Sequence, residues 1–288
     1  MLAPYTSWQV GGPAEYFYLP DNLEQLRGAL AFVKSKKLPL TIIGGGSNLL
    51  ISDAGIEGLT ICLKNISGIL VSEARGHRWV VEALAGTSKS ELLKIFLKQK
   101  LSPSVFLAGL PGEIGGGVVM NAGVGEKITP REFVEITDWI EVMRFDGAVE
   151  RISSEKLKWN YRHCEGWQPG IIVKISLSWK NEPDDSILVQ AKAANQVRLS
   201  RQPLDFPSCG SVFVNPTGHK AALLIDTCGL KGYTFGKAQV SLKHANFIVN
   251  LGGATSAEIL AVIQHVQNVV KEKTDVELNT EVIKLGRW

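Results

Sequence analysis

An α+β fold is predicted by three observations. Short β-type stretches alternate with turns through the middle of the chain, capped amphipathic helices lie on either side of them, and 288 residues suggest about two domains. The composition, 45% apolar and 20% charged, is that of an ordinary globular protein. With 31 basic and 28 acidic residues the formal charge is only +3, so no polybasic field points to nucleic acid or an anionic membrane. Small-molecule chemistry becomes the expectation. The start, Met1 to Tyr5, has no basic or apolar leader character, and no apolar run approaches the ~18 residues of a membrane span, so a cytoplasmic protein is expected. Cys62, Cys164, Cys209 and Cys228 form no C-x-x-C pair and read as buried free thiols, with no metal site.

Taken in order, Asp21 can cap a helix with Glu24 three residues on, and Leu23, Leu26, Leu30 and Val33 recur at helical spacing. Leu38 to Ile43 reads as a strand ended by Gly44-Gly45-Gly46-Ser47-Asn48, and Leu49-Leu50-Ile51 as another. A helix starts at Ser88, and Trp79-Val80-Val81 and Ile171-Ile172-Val173 are strand-like. A second glycine-dense stretch runs from Ala108-Gly109-Leu110-Pro111-Gly112 through Gly115-Gly116-Gly117 to Asn121-Ala122-Gly123. The polar run from Asn181 to Ser186 suggests a domain boundary. Beyond it come helices near Leu188 to Leu199 and Ala221 to Thr227, strand candidates from Gln239 to Val249, a helix opened by the Thr255/Glu258 capping box, and a closing strand at Val282 to Leu285.

Glycine-rich turns let backbone N–H groups approach a phosphate, and two such loops suggest a dinucleotide. Neither carries the P-loop or the G-x-G-x-x-G fingerprint, which argues against those folds. From glycines alone, tight turns without a ligand remain the alternative.

Several motifs, in order along nearly the whole chain, resemble the UDP-N-acetylenolpyruvoylglucosamine reductase (UDP-N-acetylmuramate dehydrogenase) family. They are Thr6-Ser7 with Val10-Gly11-Gly12, Gly44 to Leu50, Gly109-Leu110-Pro111-Gly112 with Gly115-Gly116, Met120-Asn121-Ala122-Gly123, Tyr161-Arg162, Cys209 to Phe213, Gly229 to Gly232, His244 to Asn250, and Leu278-x-x-Glu281-Val282. The length is similar to the shorter subfamily that lacks an inserted tyrosine loop. The resemblance implies a two-part FAD-binding region of the PCMH / vanillyl-alcohol-oxidase type plus a C-terminal α/β substrate-binding domain. Expected limits are 1–58, joined by the strand 276–288, then 59–183, then 184–275.

The same resemblance implies that NADPH, through non-covalent FAD, reduces UDP-N-acetylglucosamine enolpyruvate to UDP-N-acetylmuramate for peptidoglycan. Gly44, Gly45, Gly46, Ser47, Asn48, Gly109, Pro111, Gly112, Gly115, Gly116, Asn121, Ala122 and Gly123 would hold FAD. Tyr161, Asn215, Lys231 and Lys237 would meet substrate. Arg162 and Glu281 would face the negative charge that develops beside the substrate carboxylate, and Ser211 would protonate C2. A monomer is expected. His244, in a β-type run, reads as a core or interface histidine. The chain departs from the family pattern at Tyr5, Cys164 and Val214, where asparagine, serine and lysine are usual. Other readings are a sugar or aldonolactone oxidase of the same flavin fold, and a nucleotide-binding module without catalysis. Against a tethered flavin in the first glycine loop, no His or Cys lies within Ile42 to Asp53.

Overall fold

The computed structural model describes residues 1–124 and 128–288. The chain forms two compact units: Phe17–Gly45 with Leu59–Val197, and Met1–Tyr16 with Gly46–Gly58 and Arg198–Trp288.

The larger unit is built on a five-stranded antiparallel sheet in the spatial order Ile69–Arg75, Arg78–Leu84, Ile171–Lys180, Thr137–Met143, Val149–Ser153. Its central strand is buried along most of its length because both faces are covered: an apolar start, Ile171 to Val173, gives way to alternation with Lys174, Ser176 and Ser178. Ile172, Ile175 and Leu177 pack with Val81, Leu92, Phe96, Phe106, Ile114 and Val118. Ile171 and Val173 join Met143, Leu26, Leu30 and Ile61 on the other side. A register shift between Ile172 and Lys174 adjusts which residues face each core.

The helix Lys89–Lys98 opens on the expected capping box, with Ser88 and Glu91 exchanging side-chain and backbone bonds. The first helix, Leu23–Lys36, is capped differently from the expectation. Asn22, in extended backbone, accepts the Gln25 N–H at 2.9 Å, while Asp21 stands outside the helix and accepts from Asn65. Glu24 is drawn to Arg27 instead of back to the cap. The second glycine stretch also differs: Gly115, Gly116 and Gly117 lie inside a short helix, Ile114–Val119.

In the smaller unit the helix Ser256–Thr274 buries Ile259, Val262, Ile263, Val266 and Val270 against Trp8, Leu50, Phe213 and Ile248. Its N-terminus carries the expected Thr255/Glu258 capping box, and the Asp53 carboxylate accepts the Ser256 and Ala257 N–H groups at 2.9 Å each. The run from Gln239 to Val249 divides into two strands, Ala238–Val240 and Ile248–Asn250, paired antiparallel. His244 therefore sits in the connecting turn and not in a strand, its ring edge-on to Phe247. The closing strand Ile283–Leu285 pairs parallel with Leu49–Ile51. All four cysteines are buried and free. Among the described residues no helix is long and apolar enough to cross a membrane, and no group of His, Cys, Asp and Glu could hold a metal ion.

Candidate functional site

In the larger unit the first glycine turn leaves the strand Leu40–Ile43, which pairs parallel with Leu59–Cys62. The Gly45 N–H donates to Glu113 Oε2 at 2.6 Å, and the Cys62 thiol lies 3.5 Å from the Gly44 carbonyl. Burial, aided by the Glu113 charge, pushes the Cys62 thiol up from its ordinary range. A thiol held protonated is a poor nucleophile, so this neighbouring cysteine is not suited to tethering a flavin.

The second glycine segment is braced by Lys89. Lys89 is only 4% exposed, donates from Nζ to the Pro111 carbonyl at 2.7 Å, and gives its backbone N–H to the Gly112 carbonyl at 3.0 Å. Gly109 and Gly112 adopt positive φ, +76° and +83°, which their type tolerates without strain. Close packing sets two of the helical glycines: a Cβ on Gly117 would lie 2.5 Å from the Phe133 ring, and one on Gly115 3.0 Å from Ala85. Gly116 differs, since a Cβ there would meet nothing within 4 Å. Its backbone is open to close approach.

Asn121, Gly123 and Arg162 are brought together around Glu132. Asn121 Nδ2 donates to Glu132 Oε2 at 3.0 Å and to the Asn160 carbonyl at 3.1 Å, while its Oδ1 accepts from Val134. Arg162 donates to Glu132 Oε1 at 3.3 Å and to the Gly123 carbonyl at 3.1 Å, with its guanidinium over the exposed Tyr161 ring. Asn121 and Arg162 both hold left-handed backbone, φ +38° and +57°, which asparagine enters readily but which is uncommon for arginine. Ala122 is locked between the Gly117 carbonyl and the Phe133 N–H. The departure at Cys164 is fully buried, and burial pushes its thiol up to about 12.

In the smaller unit, backbone pairing sets the segment that follows Ser211 against Asn279 to Glu281, with Val212 opposite Glu281. Glu281 N–H donates to the Val212 carbonyl at 2.8 Å, Phe213 bridges to Thr280, and Val214 N–H donates to Asn279. Asn48 Nδ2 reaches the Glu281 carbonyl at 2.9 Å, which joins the end of the first glycine turn to this pair. The Gly46 φ of +64° and its closeness to the Tyr5 carbonyl leave no room for a Cβ, which would lie 2.0 Å away. Asn246 braces the Ser211 segment. Its Oδ1 accepts the Phe213 N–H at 2.9 Å, its Nδ2 donates to the Phe213 carbonyl at 2.8 Å, and its own carbonyl accepts from Val212.

The expected substrate residues of this unit make local contacts or stand exposed. Asn215 Oδ1 accepts the Ala221 N–H at the start of a helix, Lys231 pairs with Asp226 at 2.7 Å, and Lys237 is exposed in the turn before Ala238. Lys89, Glu113, Glu132 and Asn246 were missed by sequence reasoning. Only Asn246 had a signal, as part of a quoted motif.

Residues 202–285 match the family "UDP-N-acetylenolpyruvoylglucosamine reductase, C-terminal domain", and residues 14–153 match "FAD binding domain". A UDP-N-acetylenolpyruvoylglucosamine reductase of Limosilactobacillus fermentum is 40% identical over 99% of this chain and 93% of its own length. One of a Synechococcus species is 39% identical, over 99% and 92%. The crystal structure of UDP-N-acetylenolpyruvylglucosamine reductase from Thermus caldophilus superposes with a TM-score of 0.81 at 30% identity, covering 99% of this chain and 97% of that one.

Proposed function

Because the chain belongs to the UDP-N-acetylenolpyruvoylglucosamine reductase family and is an FAD-dependent oxidoreductase, we propose that it reduces UDP-N-acetylglucosamine enolpyruvate to UDP-N-acetylmuramate. The reaction is a step of peptidoglycan precursor synthesis, carried out in the cytoplasm with NADPH as reductant. The observation that carries this reading is the backbone pairing of the Ser211 segment with the Glu281 segment, anchored by Asn48 to the first glycine turn. It brings together two segments, carrying Ser211 and Glu281, that are 70 positions apart in sequence.

The residues fit a dinucleotide. Gly116 offers bare backbone facing open space, and the Gly45 N–H already donates to an anion. Gly44 to Asn48 and the Gly109 to Gly123 segment would hold FAD. When bound, it supplies hydride transfer from NADPH to C3 of the enolpyruvyl group. The remaining chemistry belongs to the side chains. Arg162 presents a planar guanidinium to the substrate carboxylate, and its bonds to Glu132 and Gly123 fix the direction in which it points. Such preorganised charge stabilises the enolate-like transition state without reorganisation. Glu281 is assigned the task of a proton-sharing group. Ser211 delivers its proton to C2, the acid step that completes the reduction. Tyr161, Asn215, Lys231 and Lys237 are assigned to the UDP-sugar. The division 1–58, 59–183 and 184–275 is kept as the proposed arrangement of cofactor and substrate domains.

The test is Ser211→Ala in anaerobic stopped flow. Flavin bleaching by NADPH should proceed at the parent rate, and reoxidation by the enolpyruvyl substrate should slow by about 10²–10⁴-fold. Reoxidation within a few-fold of the parent would remove Ser211 from the mechanism. Failure of the substrate to reoxidise the parent flavin would overturn the proposed activity.

A further inference from the structure

We propose that Glu113 sets cofactor affinity by occupying the phosphate place of the first glycine turn, from which the incoming FAD must displace it. The inference rests on reading Gly44 to Asn48 as a phosphate-binding turn. Glu113 stands at the N-terminal boundary of the helix Ile114–Val119, yet its side chain does not cap that helix. It crosses instead to the other glycine segment, where Oε2 accepts the Gly45 N–H at 2.6 Å. Contact follows the backbone closely: a Cβ added to Gly45 would lie 2.4 Å from Oε1, and one added to Gly44 3.2 Å from Oε2. The carboxylate thus rests on the faces of two glycines, where only the lack of a side chain admits it. Its charge is felt at Cys62, beside the Gly44 carbonyl.

A single N–H cannot make a full hydrogen bond to two anions, and a carboxylate and a phosphate competing for one half-buried donor repel each other. The Glu113 backbone is fixed, paired with Ser88 in a β-bridge and with its carbonyl accepting the Gly117 N–H. Release of the turn therefore needs only a swing of the side chain. In the free protein the same contact satisfies a backbone donor and steadies the turn. Glu113 accordingly favours the empty state and opposes the loaded one. A residue acting as a permanent strut would favour both.

That opposition gives the test two signs. Holoenzyme of the parent, Glu113→Gln and Glu113→Ala is diluted and release of FAD is read by recovery of flavin fluorescence, while thermal midpoints are taken with and without excess FAD. Both variants should hold FAD more tightly, by about tenfold for Glu113→Ala, the size expected when competition from one charge-assisted bond is removed. The Ala variant should also melt at a lower temperature than the parent when FAD-free. Unchanged or weaker FAD binding in both variants would overturn the proposal. Gly44→Val in the Glu113→Ala background separates the underlying reading, because a Cβ there meets only the Glu113 carboxylate within 4 Å, in the place the proposal gives to phosphate. If that double variant keeps parental FAD affinity, the glycine turn is not the phosphate site. If it loses FAD while Glu113→Ala gains nothing, the turn is the site and the competition is absent.

Discussion

Replacing Asn246 by alanine should damage the Ser211 segment more than any surface change in the smaller unit. Asn246 is 5% exposed, and its amide pairs with both the N–H and the carbonyl of Phe213, itself 2% exposed. Alanine leaves both groups buried without their partner, and each unpaired buried group costs about 1–3 kcal/mol. With two groups stranded and some relaxation allowed, the loss should be about 2–5 kcal/mol. Urea unfolding should show this as a lower midpoint at unchanged slope, since the surface exposed on unfolding is nearly the same. Asn246→Asp keeps an acceptor for the Phe213 N–H but turns a second oxygen toward the Phe213 carbonyl, so it should be no better than alanine. A loss below about 1 kcal/mol for both would show that the pairing with Asn279 and Glu281 holds the segment alone. Ser211 lies two residues from Phe213, so under conditions where the variant stays folded, flavin reoxidation by substrate should slow more than flavin reduction. Equal slowing would mean that Asn246 serves the fold and not the aim of Ser211.

Two further outcomes follow from the geometry. Arg162→Lys should bind FAD and accept NADPH hydride normally but reoxidise by substrate at least tenfold more slowly, because an ammonium cannot reproduce the fork that Glu132 and Gly123 orient. Substrate turnover at the parental rate would exclude it as the carboxylate partner. His244 is held below its ordinary 6.5 by burial first and by Lys231 and Arg201 second, and its Nδ1 accepts the Asn246 N–H. The unfolded chain then takes up the proton first, so stability present above about pH 6.5 should fall as pH drops through that value toward the folded pKa. His244→Gln should flatten that part of the stability profile, and an unchanged slope in pH-dependent urea unfolding would assign the acid sensitivity elsewhere.

Much of the fold could be read locally because its signals are local. The boxes at Ser88/Glu91 and Thr255/Glu258 need only three residues' separation, and the stripe from Ile259 to Val270 declares its buried face through period alone. Adjacent candidates defeat the same reasoning: Asp21 and Asn22 are both good caps, and the choice fell to Asn22 while Asp21 met Asn65 from a distant turn. The glycine turns were legible where a motif needs special backbone, as at Gly46, Gly109 and Gly112. The site was not legible where the work is done by pairing. Glu132 holds Asn121 and Arg162 across 11 and 30 positions, and Glu113 meets Gly45 across 68. A carboxylate in a single sequence carries no sign of which distant donor it will find.

The helix of glycines shows how close packing lets an unfavourable sequence hold a helix. Glycine within a helix costs about 1 kcal/mol relative to alanine, so Gly115 to Gly117 together oppose the helix by about 3 kcal/mol. Ile114 and Val118, both fully buried, offset much of this through burial worth about 1.5–3 kcal/mol each. The missing side chains at Gly115 and Gly117 let the helix approach Ala85 and Phe133 closely enough for those residues to be buried. Alanine at Gly117 would gain propensity but collide with the Phe133 ring, and at Gly115 it would crowd Ala85. Gly116 has no such packing reason, because its Cβ position is open. The open space leaves its backbone accessible from outside the helix. Of three consecutive glycines, two therefore answer to the core and the third does not, a division that the sequence spells with the same letter.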